Sequence, residues 1–180
     1  RSGFRATSLI RTTPTYAASY GLVANYDFNY KNALSTEFYI NAKAEQDYGV
    51  YIEGLYFDKS IELNYSKVTL LYQRNILQFS KVIPSRYTVK AGGYWGFLKT
   101  KRKYYNDKIV SSSESYTDMD YGVKLAIGQE KELSSIVLGY GLNSEYGFKN
   151  IFAGNDRVPA DFNETHTFNV GGYINLKYKF

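Results

Sequence analysis

The feature that most constrains this chain is a period of two. From Phe168 to Phe180 one phase reads Phe168, Val170, Gly172, Ile174, Leu176, Tyr178 and Phe180, and the other reads Asn169, Gly171, Tyr173, Asn175, Lys177 and Lys179. A helix would mix these two sets around its circumference, whereas a strand sends them to opposite faces. The alternation recurs upstream. Tyr20, Leu22, Ala24, Tyr26 and Phe28 oppose Gly21, Val23, Asn25 and Asp27, and Met119, Tyr121, Val123, Leu125 and Ile127 oppose Asp118, Asp120, Gly122, Lys124 and Ala126. Eight strands are predicted, over 3–11, 16–28, 34–43, 61–74, 87–97, 118–127, 135–143 and 168–180, the first and fourth with the weakest alternation.

Several of these runs reach the roughly 9–11 residues that a tilted strand needs to cross a bilayer, against about 5–6 in soluble proteins. In lipid an open sheet edge would leave backbone groups without partners, so closure follows. The expected fold is therefore all-β: an eight-stranded antiparallel up-and-down transmembrane β-barrel, one domain over residues 1–180. Composition agrees. The chain holds 20 Tyr and 11 Phe among 180 residues, and Tyr suits sites that are dry at one end and wet at the other. No apolar stretch approaches the roughly 20 residues of a membrane-spanning helix. No leader pattern is visible at the N-terminus, as expected of a mature or a trimmed chain.

The faces set inside from outside. One phase is bulky and apolar. The other carries glycines and the charges Glu37, Lys90, Asp118, Asp120, Lys124 and Lys177. Small and charged residues fit a narrow polar lumen and bulky apolar ones fit lipid, so these six are expected to form ion pairs across the lumen. At eight strands side chains fill the interior and leave no open pore. A soluble lipocalin-like barrel, with the Tyr-rich phase turned inward, is the rival fold. Joins near 29–33, 75–84 and 129–132 read as short turns on one side, and those near 45–60, 100–115 and 149–163 as longer polar loops on the other. A further short outer join is expected near Arg11 to Pro14.

Little in the sequence points to catalysis. The single histidine, His166, is followed by Thr167 and Phe168, and nothing marks a serine nucleophile beside it; it reads as a rim residue. Asp118 and Asp120 could do acid–base work, but lumen pairing explains them more simply. There is no cysteine, and the net charge of +5 has no long like-charge block, so nucleic-acid binding is not expected. No catalytic, cofactor or metal residues are assigned. The densest basic cluster, Lys99, Lys101, Arg102 and Lys103, stands at the end of the fifth strand and suits lipopolysaccharide phosphates at an outer rim, or a solvated loop. The 149–163 loop carries Ile151, Phe152, Val158 and Phe162, which could cover the barrel mouth or meet a partner.

The terminal run Gly171-Gly172-Tyr173-Ile174-Asn175-Leu176-Lys177-Tyr178-Lys179-Phe180 resembles the last strand of outer-membrane barrels, in which the end is read by the assembly machinery; the resemblance gives that role to Tyr178 and Phe180. The segment Lys90-Ala91-Gly92-Gly93-Tyr94-Trp95-Gly96-Phe97-Leu98, followed by Asp118-Met119-Asp120-Tyr121-Gly122-Val123, is similar to the PorT-like outer-membrane β-barrel family of Bacteroidetes. That resemblance implies the bacterial outer membrane, lipid and lipopolysaccharide as surroundings, and other outer-membrane proteins as partners. The expected function is a non-enzymatic subunit or accessory of a larger outer-membrane complex for secretion, uptake or barrel assembly. A stand-alone structural or adhesive barrel acting through its loops, or a lipid-A-modifying enzyme, are the alternatives.

Overall fold

The computed structural model describes residues 11–14, 16–52, 55–79, 85–105, 108–110, 116–151 and 166–179. Strands account for nearly all of them: β1 Arg11–Pro14, β2 Tyr20–Asn29, β3 Asn32–Ile52, β4 Leu55–Phe79, β5 Ser85–Tyr105, β6 Lys108–Val110, β7 Met119–Leu133, β8 Ile136–Gly147 and β9 Phe168–Tyr178. There is no helix among the described residues.

All nine strands belong to one curled antiparallel sheet with seven rows. β1 and β2 share the first row, because both pair with β3: Arg11 to Pro14 face Gly49 to Gln46, and Tyr20 to Asn29 face Asn41 to Asn32. The following rows are β3, β4 and β5. β6 and β7 share the next, both pairing with β5. β8 and β9 complete the sheet. Spatial order follows chain order throughout, as short hairpin connections dictate.

Several sequence expectations need correction. Arg11–Pro14 is not an outer join but an edge strand in line with β2. Proline is tolerated there because an edge strand has a free side that needs no donor. The region 45–60 is not a loop: β3 and β4 continue as a ladder to the pair Ile52 and Leu55. Much of 100–115 is likewise strand, β5 running to Tyr105 and turning back as β6. The join expected at 129–132 lies farther on, at Ser134–Ser135, where Ser134 takes a positive φ of 56°. Of the expected first strand over 3–11, only Arg11 is among the described residues.

The alternation sorts the faces. In β7, Met119, Tyr121, Val123, Leu125 and Ile127 are exposed, whereas Asp120, Gly122, Lys124 and Ala126 are buried. Leu125 is 58% exposed and Lys124 2%. The same inversion holds for Trp95 and Phe97 against Tyr94, and for Tyr72 against Gln73. The Tyr-rich phase therefore points outward, the reverse of a lipocalin-like interior. A small apolar cluster of Ala42, Ala44, Leu63, Tyr65, Tyr116 and Ile151 covers the inner face at the end away from the short turns. Ile151, one of the apolar residues of the 149–163 loop, is fully buried there, and its carbonyl accepts from the Thr117 amide at 2.9 Å. Ile151 thus packs on the inner face of the sheet; Phe152, Val158 and Phe162 lie outside the described residues.

Candidate functional site

The inner face of the sheet is the place where chemistry-bearing side chains converge. Even positions of β7 project inward and deliver Asp120, Lys124 and Glu130. Glu37 comes from β3, Lys67 and Gln73 from β4, Arg86 and Lys90 from β5, Glu145 from β8 and Lys177 from β9. All are strand residues, so the ladder fixes their height and their direction at once.

Nearest the short turns, Glu130 takes Lys177 Nζ at 2.5 Å and Arg86 at 2.8 Å. Arg86 also lies 3.8 Å from Glu132 and 3.9 Å from Asp27. Midway, Lys124 Nζ donates to Glu37 Oε2 at 2.8 Å and to Tyr39 Oη at 2.8 Å, and lies 3.2 Å from Glu145. Tyr39 Oη in turn donates to Glu37 at 2.9 Å. Glu145 also accepts from Lys67 Nζ at 2.6 Å. At the far end the Asp120 carboxylate accepts from Thr167 Oγ1 at 2.8 Å and from Tyr94 Oη at 3.0 Å. The ammonium groups also sit over rings: Lys67 is 4.4 Å from the Tyr94 centroid and Lys124 4.6 Å from that of Tyr39, a favourable electrostatic contact.

Glu37, Lys124 and Lys177 thus engage opposite charges on other strands. Lys90 is 1% exposed. Its Nζ lies 3.9 Å from Glu37 and has no hydrogen-bond acceptor among the described residues. Asp120 is held by two hydroxyls and not by a lysine. Asp118 corrects the expectation more fully: it lies just before β7, exposed to solvent, and its carbonyl accepts from the Leu98 amide.

The sequence reading missed Glu130, Glu145, Lys67 and Arg86, which hold half of the network. Extending the phase of Lys124 by three steps reaches Glu130, and extending that of Asn143 by one reaches Glu145. Both lie beyond the strand ends that were drawn.

Elsewhere, Tyr178 is exposed beside the short turns and pairs with Ile136; Phe180 lies outside the described residues. Lys99 and Arg102 are exposed. Lys99 Nζ donates to the Ile40 carbonyl at 3.3 Å. Lys101 and Lys103 belong to β5 opposite Leu63 and Ile61, and their side chains lie outside the described set. His166 Nδ1 is 3.1 Å from the Gly147 carbonyl, and its ring stacks on Tyr146 at 6.0 Å. Among the described residues no group of three or more His, Cys, Asp and Glu is placed to hold a metal ion. A cavity of about 390 Å³ adjoins the network and is lined by Glu37, Tyr39, Lys67, Lys124 and Glu145, together with the facing edges of β2 and β9. Comparisons with known protein families, with curated proteins and with solved structures return no match.

Opposite charges at these distances in a buried setting hold the strands in register. Removing one partner leaves the other charged and desolvated, which costs about 3–5 kcal/mol. Lys124→Met is expected to lower the unfolding free energy by about that amount, measured by urea titration of the purified protein. Glu37→Gln added to Lys124→Met is expected to restore part of the loss, because Glu145 keeps Lys67.

Proposed function

We propose that the chain is a bacterial outer-membrane protein: a closed eight-stranded transmembrane β-barrel of the PorT-like kind, non-enzymatic, serving as a subunit or accessory of a larger outer-membrane assembly. One observation carries the reading. The outer surface is apolar and the interior is charged. Leu125, Ile127, Leu142 and Leu176 are 58%, 57%, 59% and 68% exposed, while Lys90, Lys124 and Glu130 are at most 2% exposed. In water this arrangement would lose the hydrophobic contribution of every outward residue, and exposed apolar patches of such extent mark membrane or protein contacts. Lipid is the solvent that favours it.

The interior supports a scaffold more than a channel or an enzyme. Most of its charges engage opposite charges on other strands, and one end is capped by packed apolar side chains. An interior spanned by ion pairs suits a barrel that works by holding partners in the membrane plane. Tyr178 and Phe180 would act as the assembly signal, and Lys99, Lys101, Arg102 and Lys103 would meet lipopolysaccharide phosphates at the outer rim.

Two outcomes follow. Leu125→Arg, tested by unfolding from lipid vesicles, is expected to cost about 2–4 kcal/mol, the figure for a cation on the lipid face near the midplane. A water-exposed surface site would change by no more than about 0.5 kcal/mol. For the subunit role, extraction of native membranes in mild detergent followed by mass spectrometry is expected to bring down a stoichiometric set of outer-membrane proteins. A lone species of barrel size would overturn that part.

A further inference from the structure

The short turn between β2 and β3 is held from three sides. Asn29 Oδ1 accepts from the Lys31 amide at 2.9 Å, from the Asn32 amide at 3.0 Å and from Asn32 Nδ2 at 3.1 Å. Asn75 takes both carbonyls at the tip: its amide donates to that of Lys31 and its Nδ2 to that of Tyr30, each at 2.8 Å. Asn32 Oδ1 accepts from Arg74 Nη1 at 2.6 Å and from the Tyr72 hydroxyl. Lys31 and Arg74 are thereby anchored to one corner of the rim, with Lys31 Nζ 5.2 Å from the Tyr30 ring centroid.

We propose that this corner binds the phosphate of a net-negative glycerophospholipid in the leaflet on the short-turn side. The inference rests on the membrane reading above and names a lipid class that the barrel contacts. Arg74 carries it. The outward phase of β4 runs Val68, Leu70, Tyr72, Arg74 and Ile76, with Gln73 and Asn75 buried between them. A guanidinium on that phase is costly among acyl chains and nearly neutral at the headgroups. Its bond to Asn32 draws it toward the turn, as long cationic side chains reach for the interface. One donor is used there, so the rest of the planar fork is left for an oxyanion. Neither Lys31 nor Arg74 enters an ion pair among the described residues. Other cations do: Lys43 holds Glu62 at 2.9 Å and Lys179 holds Glu132 at 3.3 Å. A phosphate supplies the counter-charge that no carboxylate gives here, in bonds strengthened by charge. The exposed rings of Tyr30 and Tyr72 suit the same level, where a ring meets chains and its hydroxyl meets water. The pairing of cation and ring recurs along this rim, where Lys131 Nζ lies 5.9 Å from the Tyr140 centroid. A zwitterionic headgroup brings its own cation to its phosphate, so a net-negative one gains more from Lys31 and Arg74.

A local reporter makes the test. Tyr30→Trp in a Trp95→Phe background puts the chain's sole tryptophan at the turn. The full chain is refolded into vesicles of equal parts phosphatidylglycerol and phosphatidylcholine, with bromine on the acyl chains of one lipid or the other. Brominated phosphatidylglycerol is expected to quench more strongly, giving a local preference of about fivefold or more, the figure for one cation at an anionic surface. Lys31→Gln with Arg74→Gln is expected to remove the preference. Arg74→Lys is expected to keep part of it, because the charge stays and the fork is lost. Lys99→Gln with Arg102→Gln, at the opposite rim, is expected to leave it unchanged. Equal quenching by the two lipids in the reporter chain, or a preference that survives the loss of both cations, overturns the proposal. So does a preference abolished by inorganic phosphate at matched ionic strength, which would make this a free-anion site. Flotation of the same samples separates the two claims: a chain that floats without a preference refutes the phosphate site alone, and a chain that stays in the aqueous layer refutes the membrane reading with it.

Discussion

The contact on which the rest depends is the pairing of Lys124 with Glu37 and Glu145. It joins β7 to β3 and β8 from the inside, across distances of 2.8 and 3.2 Å. A buried ammonium needs counter-charges, and a strand offers only every second position to supply them. Once Lys124 faces inward, Leu125 and Val123 must face outward, and a one-residue slip of β7 would exchange the two sets. The charge network and the apolar exterior are therefore one constraint seen from two sides. The flanking groups repeat the logic at other heights, with Glu130 between Lys177 and Arg86, and Asp120 between Thr167 and Tyr94.

This constraint also explains the unusual composition. A protein whose interior is spanned by paired charges does not need a continuous apolar core, and the described residues form only a small one at the end away from the short turns. Its apolar residues lie instead on the convex surface, with tyrosines such as Tyr87, Tyr121, Tyr140 and Tyr178 distributed around it. Glycines such as Gly147 leave room on the inside: a Cβ there would meet Asp120 Oδ1 at 2.8 Å and Tyr94 Oη at 2.9 Å, so the last hydroxyl–carboxylate group depends on that residue being small.

Much of this was legible in the sequence because alternation is local. Each of β7, β8 and β9 shows its two faces without reference to any other part of the chain. What alternation cannot report is where a ladder stops. The stretches 45–60 and 100–115 read as loops because they are polar, yet β3 continues to Ile52, β4 starts at Leu55 and β5 continues to Tyr105. Glu130 and Glu145 escape the pattern for the same reason, lying two steps and one step past the predicted strand ends. Pro14 misled in the opposite sense, as a turn signal that an edge strand accommodates. Partner choice within the network is set by register between strands far apart in sequence, such as Lys67 with Glu145. No single-strand pattern encodes it.

The central claim is that the outward phase faces lipid, and Trp95 reports on it directly. It is the only tryptophan in the chain, it lies in β5 opposite Val68 and Tyr121, and it is 46% exposed on the outer face. Its fluorescence in vesicles should be recorded with lipids brominated along their acyl chains and, separately, with aqueous iodide. The account predicts blue-shifted emission, strong quenching by the brominated lipid and little by iodide. Red-shifted emission that iodide quenches and brominated lipid leaves untouched would place this face in water and contradict the account.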